Sequence, residues 1–328
     1  MPRPIFLVRF HLRNPDFAGV TFAERYAAAL DMAAWADENG AAAIVLSEHH
    51  GSDDGYLPSA LTMAAAVAAR TSRCQIQVSA IPAPLHEPIH LAEQVAVVEH
   101  LSGGRLNVVL ANGYVPSELA MFGVEKSERP ARVTEAVEVL RAARHGEPFE
   151  FRGRTVRVTP GVATEHRAGP PIFLGGSSPA AARRAIRIAD RFQPSDEETW
   201  ELYRALRIES GRRDPGPFIP DAGFVHLATD VELGWQAIEP YVRHDAECYA
   251  RWAEEAGIEA TPAYRRTGDD IMEDIRSRDL QRVVTPGQLV EEITSDPMRL
   301  VILNPMIGGL PPEDAWASLH LFEQVLDA

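Results

Sequence analysis

The stretch QIQVSAIPAPLHEPIHLAEQVAVVEHLSGGRLNVVLANGY, residues 75–114, decides the fold class. It opens with a short run in which apolar and polar residues alternate as in a β-strand, and a loop with three prolines follows. Apolar residues then recur at helical spacing until the glycines of residues 102–104 end the helix. Residues 106–110 form a nearly continuous apolar run, typical of a parallel strand buried on both faces. Strand, helix and strand in this order are the repeating unit of parallel α/β proteins.

The rest of the chain continues this alternation. Further strand candidates lie at residues 5–10, 43–46, 172–174, 223–228, 280–284 and 299–303. Eight strands that alternate with helices predict an α/β fold of the (β/α)8 barrel type. An open doubly wound sheet is the alternative, and it is disfavoured because no Gly-x-Gly-x-x-Gly turn follows the first strand.

We therefore expect residues 1–328 to form one barrel domain with additional segments. Residues 149–158 alternate around a glycine and predict a surface β-hairpin. Residues 194–221 are rich in charge, Pro and Gly, and they predict an irregular excursion with one helix near residues 197–209. Residues 257–277 are expected to form a lid or an outer cover.

Composition narrows the class of function. The net charge of −15 disfavours nucleic acid as a partner, because phosphates would repel the chain. Hydrophobic residues make up 45% of the chain, which supports a large core, and no run suits a membrane span. The cysteines Cys74 and Cys248 follow no ligand or redox spacing and suit a reducing cytoplasm. A cytoplasmic protein is expected.

Glu48-His49-His50 comes directly after the second strand candidate, and in a barrel the C-terminal strand ends face the active site. Histidine exchanges a proton near neutral pH, so His49 is a candidate catalytic residue. The alternative is a packed histidine that satisfies a backbone carbonyl, which we favour for His50. We expect no metal site here, because adjacent residues of a strand point to opposite faces.

Gly175-Gly176-Ser177-Ser178-Pro179 combines a strand end, a glycine-rich turn and a helix start. Ser178 suits the N-cap and Pro179 the first helical position. The glycines would let an oxyanion approach backbone amides, and the helix dipole favours a phosphate there. The alternative is an ordinary turn between a strand and a helix.

Asn112 and Tyr114 lie just beyond the fourth strand candidate, where α/β folds place ligands. Tyr114 is either a wall of the ligand site or a packed loop residue. Arg183 and Arg184, on the helix after the glycine-rich turn, are candidates for added positive charge or for plain solvation.

The order of these segments resembles that of the bacterial luciferase-like flavin-dependent monooxygenases over nearly the whole chain. The matching segments are SEHH at 47–50, the proline loop, HLAEQ at 90–94, LSGGR at 101–105, the Gly113-Tyr114 strand end, LGGSSP at 174–179 and IGGL at 307–310. The resemblance implies a barrel enzyme that takes reduced FMN from a separate flavin reductase and uses O2 to oxygenate a small organic substrate. It also implies a homodimer. The alternatives are a dehydrogenase or reductase that uses the deazaflavin coenzyme F-420, and a non-catalytic flavin-binding barrel. A metal-dependent barrel hydrolase is disfavoured because the sequence shows no clustered His/Asp ligand set.

The resemblance also assigns roles to residues. It places His49 beside the flavin and a non-prolyl cis peptide at Ser79-Ala80, under the isoalloxazine ring. Asn112 departs from the luciferases, which carry an arginine at this position that helps to hold the flavin phosphate. The cofactor-binding residues implied are Ser79, Ala80, Asn112, Tyr114, Gly175, Gly176, Ser177 and Ser178.

Overall fold

The fold was obtained as a computed structural model, which describes residues 3–218, 223–258 and 270–328. The strands are β1 (Ile5–Phe10), β2 (Ala43–Leu46), β3 (Gln75–Pro82), β4 (Leu106–Ala111), β5 (Phe149–Phe151), β6 (Arg154–Val156), β7 (Ile172–Gly175), β8 (Arg191–Gln193), β9 (Phe224–Leu227), β10 (Gln281–Val284) and β11 (Leu300–Leu303). The helices are α1 (Phe22–Glu38), α2 (Ala60–Arg70), α3 (Pro88–Leu101), α4 (Pro116–Met121), α5 (Arg129–Ala142), α6 (Pro179–Ile188), α7 (Glu197–Glu209), α8 (Val231–Glu255), α9 (Ile271–Ser277), α10 (Pro286–Ser295) and α11 (Pro312–Leu326).

The chain divides into two compact units. Unit 1 comprises Met1–Val45, His50–Pro58 and Ala222–Ala328, and unit 2 comprises Leu46–His49 and Ser59–Asp221. Each unit is built on parallel strands that alternate with helices along the chain.

In unit 1 the strands β10, β9, β11 and β1 pair in that order, all in parallel. Alternate residues of β1 point into the core, as the period of two in a strand requires. Phe6 of β1 packs edge-on against Phe322 of α11, with ring centroids 5.0 Å apart. Such aromatic pairs supply much of the apolar area that holds helices on a sheet.

In unit 2 the strands β3, β4, β7 and β8 pair in that order, again all in parallel. The pairing of β3 with β4 shifts register between Ser79 and Ile81, so β3 bulges near its C-terminal end. β5 and β6 form a separate antiparallel hairpin. The carboxyl ends of the parallel strands therefore lie at one edge of this unit's sheet.

Most of the predicted elements are confirmed. All eight strand candidates, the hairpin, and the helix at residues 197–209 are present. Among the described elements, the sequence analysis did not predict the strand β8 or the short helices α4 and α9. Within the proposed cover, residues 257–277, the structure describes the helix α9 (Ile271–Ser277). Residues 259–269 of this segment lie outside the described part of the chain. A single domain over residues 1–328 stays a prediction.

Across the three described ranges, no helix is both long enough and apolar enough to pass through a lipid bilayer.

The buried imidazole of His226 is expected to make the free energy of unfolding depend on pH. His226 lies on β9 with 8% of its surface exposed, and burial lowers its pKa from 6.5 to about 4. Between these values the unfolded chain binds a proton that the folded chain does not, so stability is lost as the pH falls below 6.5. By pH 4.5 this one group should cost about 2.5 kcal/mol of unfolding free energy.

Urea unfolding at pH 7.0 and 4.5 tests this effect. His226→Gln should lose less stability over this interval than the parent protein does. His320→Gln, at an exposed position of α11 in the same unit, should lose as much as the parent. Equal losses for all three proteins would show that His226 does not titrate in this way.

Candidate active site

The structure brings the predicted site residues together in unit 2, at the carboxyl ends of its parallel strands. Ser79-Ala80 lies near the C-terminal end of β3, Asn112 and Tyr114 follow β4, and Gly175 ends β7. Parallel α/β sheets bind their ligands outside these ends, because loops and helix N-termini converge there.

His49 is held by a buried carboxylate that the sequence analysis missed. Its Nδ1 lies 2.7 Å from Oε1 of Glu118, which is 3% exposed and belongs to α4. A carboxylate accepts a hydrogen bond from the Nδ1 proton, so Nε2 is left as the ring nitrogen that can take up or release a proton. The Tyr114 ring stands edge-on to the imidazole, with centroids 5.9 Å apart. His49 is therefore an oriented base or acid.

Glu48, the residue before His49, is itself held by two contacts. Its Oε1 lies 2.6 Å from Nε2 of His86, and its Oε2 accepts a hydrogen bond from the amide of Ala60 at 2.9 Å. Glu48 is buried, so these bonds satisfy a carboxylate that would otherwise be costly to desolvate. Glu48 thus fastens the end of β2 to the start of α2.

The peptide bond between Ser79 and Ala80 is cis, which confirms the prediction made from the family resemblance. The Ser47 hydroxyl donates to the carbonyl of Ser79 at 2.8 Å. The amide of Gln193, on β8, donates to the Ser79 hydroxyl at 3.3 Å. The carbonyl and the hydroxyl of Ser79 are therefore both held where β3 bulges, the first by a residue that follows β2 and the second by a residue of β8.

The glycine-rich turn has the geometry of an anion cradle. Ser178 caps α6, because its hydroxyl accepts from the amide of Ala181 at 3.2 Å, and Pro179 follows as the first helical residue. Gly176 has φ +147°, which L side chains rarely adopt, and a Cβ there would lie 2.8 Å from the Cβ of Ala181. Ser177 is exposed and its hydroxyl contacts that of Ser195. The start of the helix is open to a ligand phosphate.

Asn112 contacts a positively charged side chain of α6. Arg184 donates from Nη1 to the Asn112 side-chain oxygen at 3.4 Å, and the guanidinium is partly buried. Burial lowers the pKa of Arg184, but an arginine remains protonated at neutral pH. Arg183, its neighbour, is exposed. Asn112 therefore offers an amide oxygen that holds a charge in place, although it carries none itself.

These groups fit a phosphate-bearing flavin. The turn at Gly176 offers backbone amides and hydroxyls to a phosphate, and Arg184 adds a cation on the same helix. For such a group the cis peptide, Tyr114 and His49 would offer a backbone surface, an aromatic wall and a proton carrier. The assigned roles of the cofactor-binding residues stay predictions.

Sequence reasoning missed two residues of the site, Glu118 and Gln193. Pro116 at the first helical position and Glu118 at the third are typical of a helix start, so a short helix was readable here. Nothing in the sequence pairs Glu118 with His49, which is 69 residues away. Gln193 carries no local signal, because its contact with Ser79 spans 114 residues.

Known proteins resemble this chain along most of its length. A sequence model described as luciferase-like monooxygenase matches residues 6–295. A curated relative, an F420-dependent glucose-6-phosphate dehydrogenase from Nakamurella multipartita, is 32% identical over 182 residues, which are 53% of this chain and 53% of that protein. The chain spans about half the length of the curated relatives it matches.

Two solved structures share the fold. Monooxygenase RslO1 from Streptomyces bottropensis superposes with a TM-score of 0.73 at 24% identity, covering 98% of this chain and 99% of that one. The oxygenating constituent of 3,6-diketocamphane monooxygenase from Pseudomonas putida, solved in complex with FMN, gives 0.67 at 19% identity, covering 98% and 97%. The predicted α/β class, with parallel strands that alternate with helices, is confirmed by these likenesses and by the strand pairing, and closure of the strands into a barrel stays a prediction.

Proposed function

The chain belongs to the luciferase-like monooxygenase family, and from that premise we propose that it uses reduced FMN and O2 to oxygenate a small organic substrate. The observation that carries this proposal is the pairing of His49 with the buried Glu118 in the unit that also holds the cis Ser79-Ala80 peptide and the Gly176 turn. A histidine that can carry a proton and a turn that can bind an anion thus lie in the same unit as the bulged strand β3.

Each part of the site has a separate task in this proposal. The amides and hydroxyls of residues 175–178 hold the FMN phosphate, and Arg184 adds charge that Asn112 keeps in place. Ser79-Ala80 and Tyr114 position the flavin ring. Bound FMN supplies the redox chemistry, and the surrounding side chains supply orientation and proton handling. His49 moves a proton at Nε2 while Glu118 fixes its ring.

Members of this family often receive reduced flavin from a partner enzyme. We propose a separate flavin reductase as the supplier. We also propose that the protein acts as a cytoplasmic homodimer.

A second candidate is hydride transfer with the deazaflavin coenzyme F-420. The relative from Nakamurella multipartita favours this candidate, because its name gives F420 dependence. The phosphate turn and His49 serve either cofactor, since both carry a phosphate and both reactions move a proton. Asn112 in place of an arginine is compatible with either.

Fluorescence titration under anaerobic conditions separates the candidates. Purified protein is titrated with FMN and with F-420, each oxidised and reduced. The proposal predicts micromolar binding of reduced FMN and weaker binding of F-420. Selective binding of F-420 would make the protein a deazaflavin enzyme, and binding of neither would leave only the family and the fold.

The turn at Gly176 provides a prediction about affinity. Gly176→Ala should weaken FMN binding by about tenfold or more, because the new methyl group meets Ala181 and the backbone cannot keep φ +147°. Gly103→Ala is the matched control, since Gly103 also has positive φ but has nothing within 4 Å of the added Cβ. Equal affinities in the two variants would show that FMN does not use this turn.

A further inference from the structure

Unit 1 contains a second cluster of reactive side chains, formed by Asp54, His244 and Cys248. We propose that these three residues bind a divalent transition-metal ion, with Zn²⁺ as the preferred occupant. The argument uses residues of unit 1 alone, so it stands or falls independently of the function proposed above.

The three donor atoms converge on one point. A carboxylate oxygen of Asp54, a ring nitrogen of His244 and Sγ of Cys248 all lie within 4.8 Å of one another. Nε2 lies 2.8 Å from the carboxylate oxygen and 3.7 Å from the sulfur. In a proton relay of the Cys-His-Asp type, the two ring nitrogens would face different partners. Here one nitrogen faces both, which is the arrangement of ligands around a metal.

Local structure explains how the donors meet. His244 and Cys248 are four residues apart on α8, so their side chains emerge from one face of the helix. Asp54 comes from the loop after β2, and its other oxygen, Oδ1, is held by the Ser52 hydroxyl and by the amide of Tyr56. Oδ2 is thereby turned toward the imidazole. In metal sites, hydrogen bonds from neighbouring groups to a metal-binding side chain fix the orientation of that side chain.

The distances suit tetrahedral coordination. With zinc bonds of about 2.0–2.1 Å to nitrogen and oxygen and about 2.3 Å to sulfur, ligand atoms stand roughly 3.3–3.7 Å apart. The nitrogen–sulfur distance of 3.7 Å already matches. The nitrogen–oxygen distance of 2.8 Å has to widen by about 0.5 Å, as the metal replaces the hydrogen bond between Asp54 and His244.

Two arginines near the ligands are compatible with a metal. Arg13 donates from Nη1 to Oδ2 of Asp54 at 2.7 Å, and a carboxylate oxygen has a second lone pair for the ion. Arg251 contacts the Cys248 sulfur at 3.1 Å, but Arg251 is exposed and can rotate away. The buried Arg13 stays in place and orients Asp54.

The charges balance when a divalent ion is present. An ion that binds here displaces the protons of His244 and of the Cys248 thiol, so neutral His244 contributes no charge and the ion cancels the two negative charges of Asp54 and the thiolate. Arg13 and Asp245, bonded at 2.7 Å, cancel each other. Nitrogen and sulfur ligands favour Zn²⁺ over Mg²⁺ or Ca²⁺, which prefer oxygen. The His244 side chain is 22% exposed, so water can take the fourth position.

The test is a Co²⁺ titration of the full chain, prepared without a histidine tag and stripped with a chelator. We expect one equivalent to bind with a sulfur-to-metal charge-transfer absorption, and Zn²⁺ to displace it. Cys248→Ser should lose this absorption, and Asp54→Asn should bind at least about a hundredfold more weakly. Cys74→Ser is the matched control, because Cys74 is the other buried free cysteine and lies in unit 2.

Two results would overturn the proposal. One is absorption without sulfur character, or binding unchanged in Cys248→Ser, which would mean an adventitious ion only. The other concerns the parent protein itself and does not depend on how any variant folds. X-ray absorption of its zinc complex should show one sulfur at about 2.3 Å and lighter atoms at about 2.0–2.1 Å. A shell of light atoms alone would contradict the site.

Discussion

His49→Ala is expected to slow product formation by about 100- to 10,000-fold, the usual contribution of a general acid or base. The affinity for reduced FMN should stay nearly unchanged, because the proposed phosphate cradle at residues 175–178 does not include this side chain. The loss would therefore fall on turnover rather than on binding. Product is measured by mass spectrometry under single-turnover conditions, with a substrate found by screening small organic compounds.

Two further variants sharpen this result. Glu118→Gln keeps the size of the side chain and removes the charge that faces Nδ1 of His49, so it should give a smaller loss in the same direction. His90→Ala is the matched control, since His90 is an exposed histidine on α3 in the same unit. Unchanged turnover in His49→Ala would remove this residue from the mechanism. An equal loss in His90→Ala would point to a general effect on folding.

Arg13→Met is expected to lower the unfolding free energy by about 3–5 kcal/mol, the range for breaking a buried ion pair. Arg13 is fully buried and donates to Asp245 from Nε and to Asp54 from Nη1, both at 2.7 Å. Burial pulls the pKa of Arg13 down, but the two carboxylates hold it above its ordinary value. Without the guanidinium, both buried carboxylates lose the cation that they share, and Asp54 keeps only its neighbours His244, Ser52 and Tyr56. Metal-free protein is used, so that no ion compensates for the loss.

Urea unfolding measures this loss, and two variants control it. Arg243→Met removes a partly exposed arginine of the same unit that pairs with Asp270 and Glu239, and it should cost at most about 1 kcal/mol. Adding Asp245→Asn to Arg13→Met should restore part of the stability, because one unpaired charge is removed. If Arg13→Met is as stable as the parent protein, the buried pairs do not hold unit 1 together.

The fold was largely predictable because its signals are local. Apolar runs such as that of β4 predict buried parallel strands, and the capping residues before α6 mark a helix start. β8 was missed because it has three residues, of which only Phe192 is buried. A strand this short carries no periodicity, and only its pairing with β7 identifies it.

The site was predictable only where one segment carries the whole signal. His49 and the Gly176 turn stand in compact motifs, and the cis bond at Ser79-Ala80 followed from family resemblance and not from the residue types. Glu118 was missed because tertiary structure alone brings it to His49. The cluster in unit 1 was missed for the same reason, since Asp54 and His244 are 190 residues apart.

The proposed reaction is tested most directly by mixing the anaerobic complex of protein and reduced FMN with O2 in a stopped-flow spectrophotometer. A monooxygenase holds the flavin in a pocket that excludes water, so oxidation should pass through a transient absorbing species that free reduced FMN does not accumulate. The account predicts this transient in the parent protein, and predicts that it is weaker in Gly176→Ala at the same flavin concentration. Oxidation with the spectra and the rate of free FMN would contradict the account.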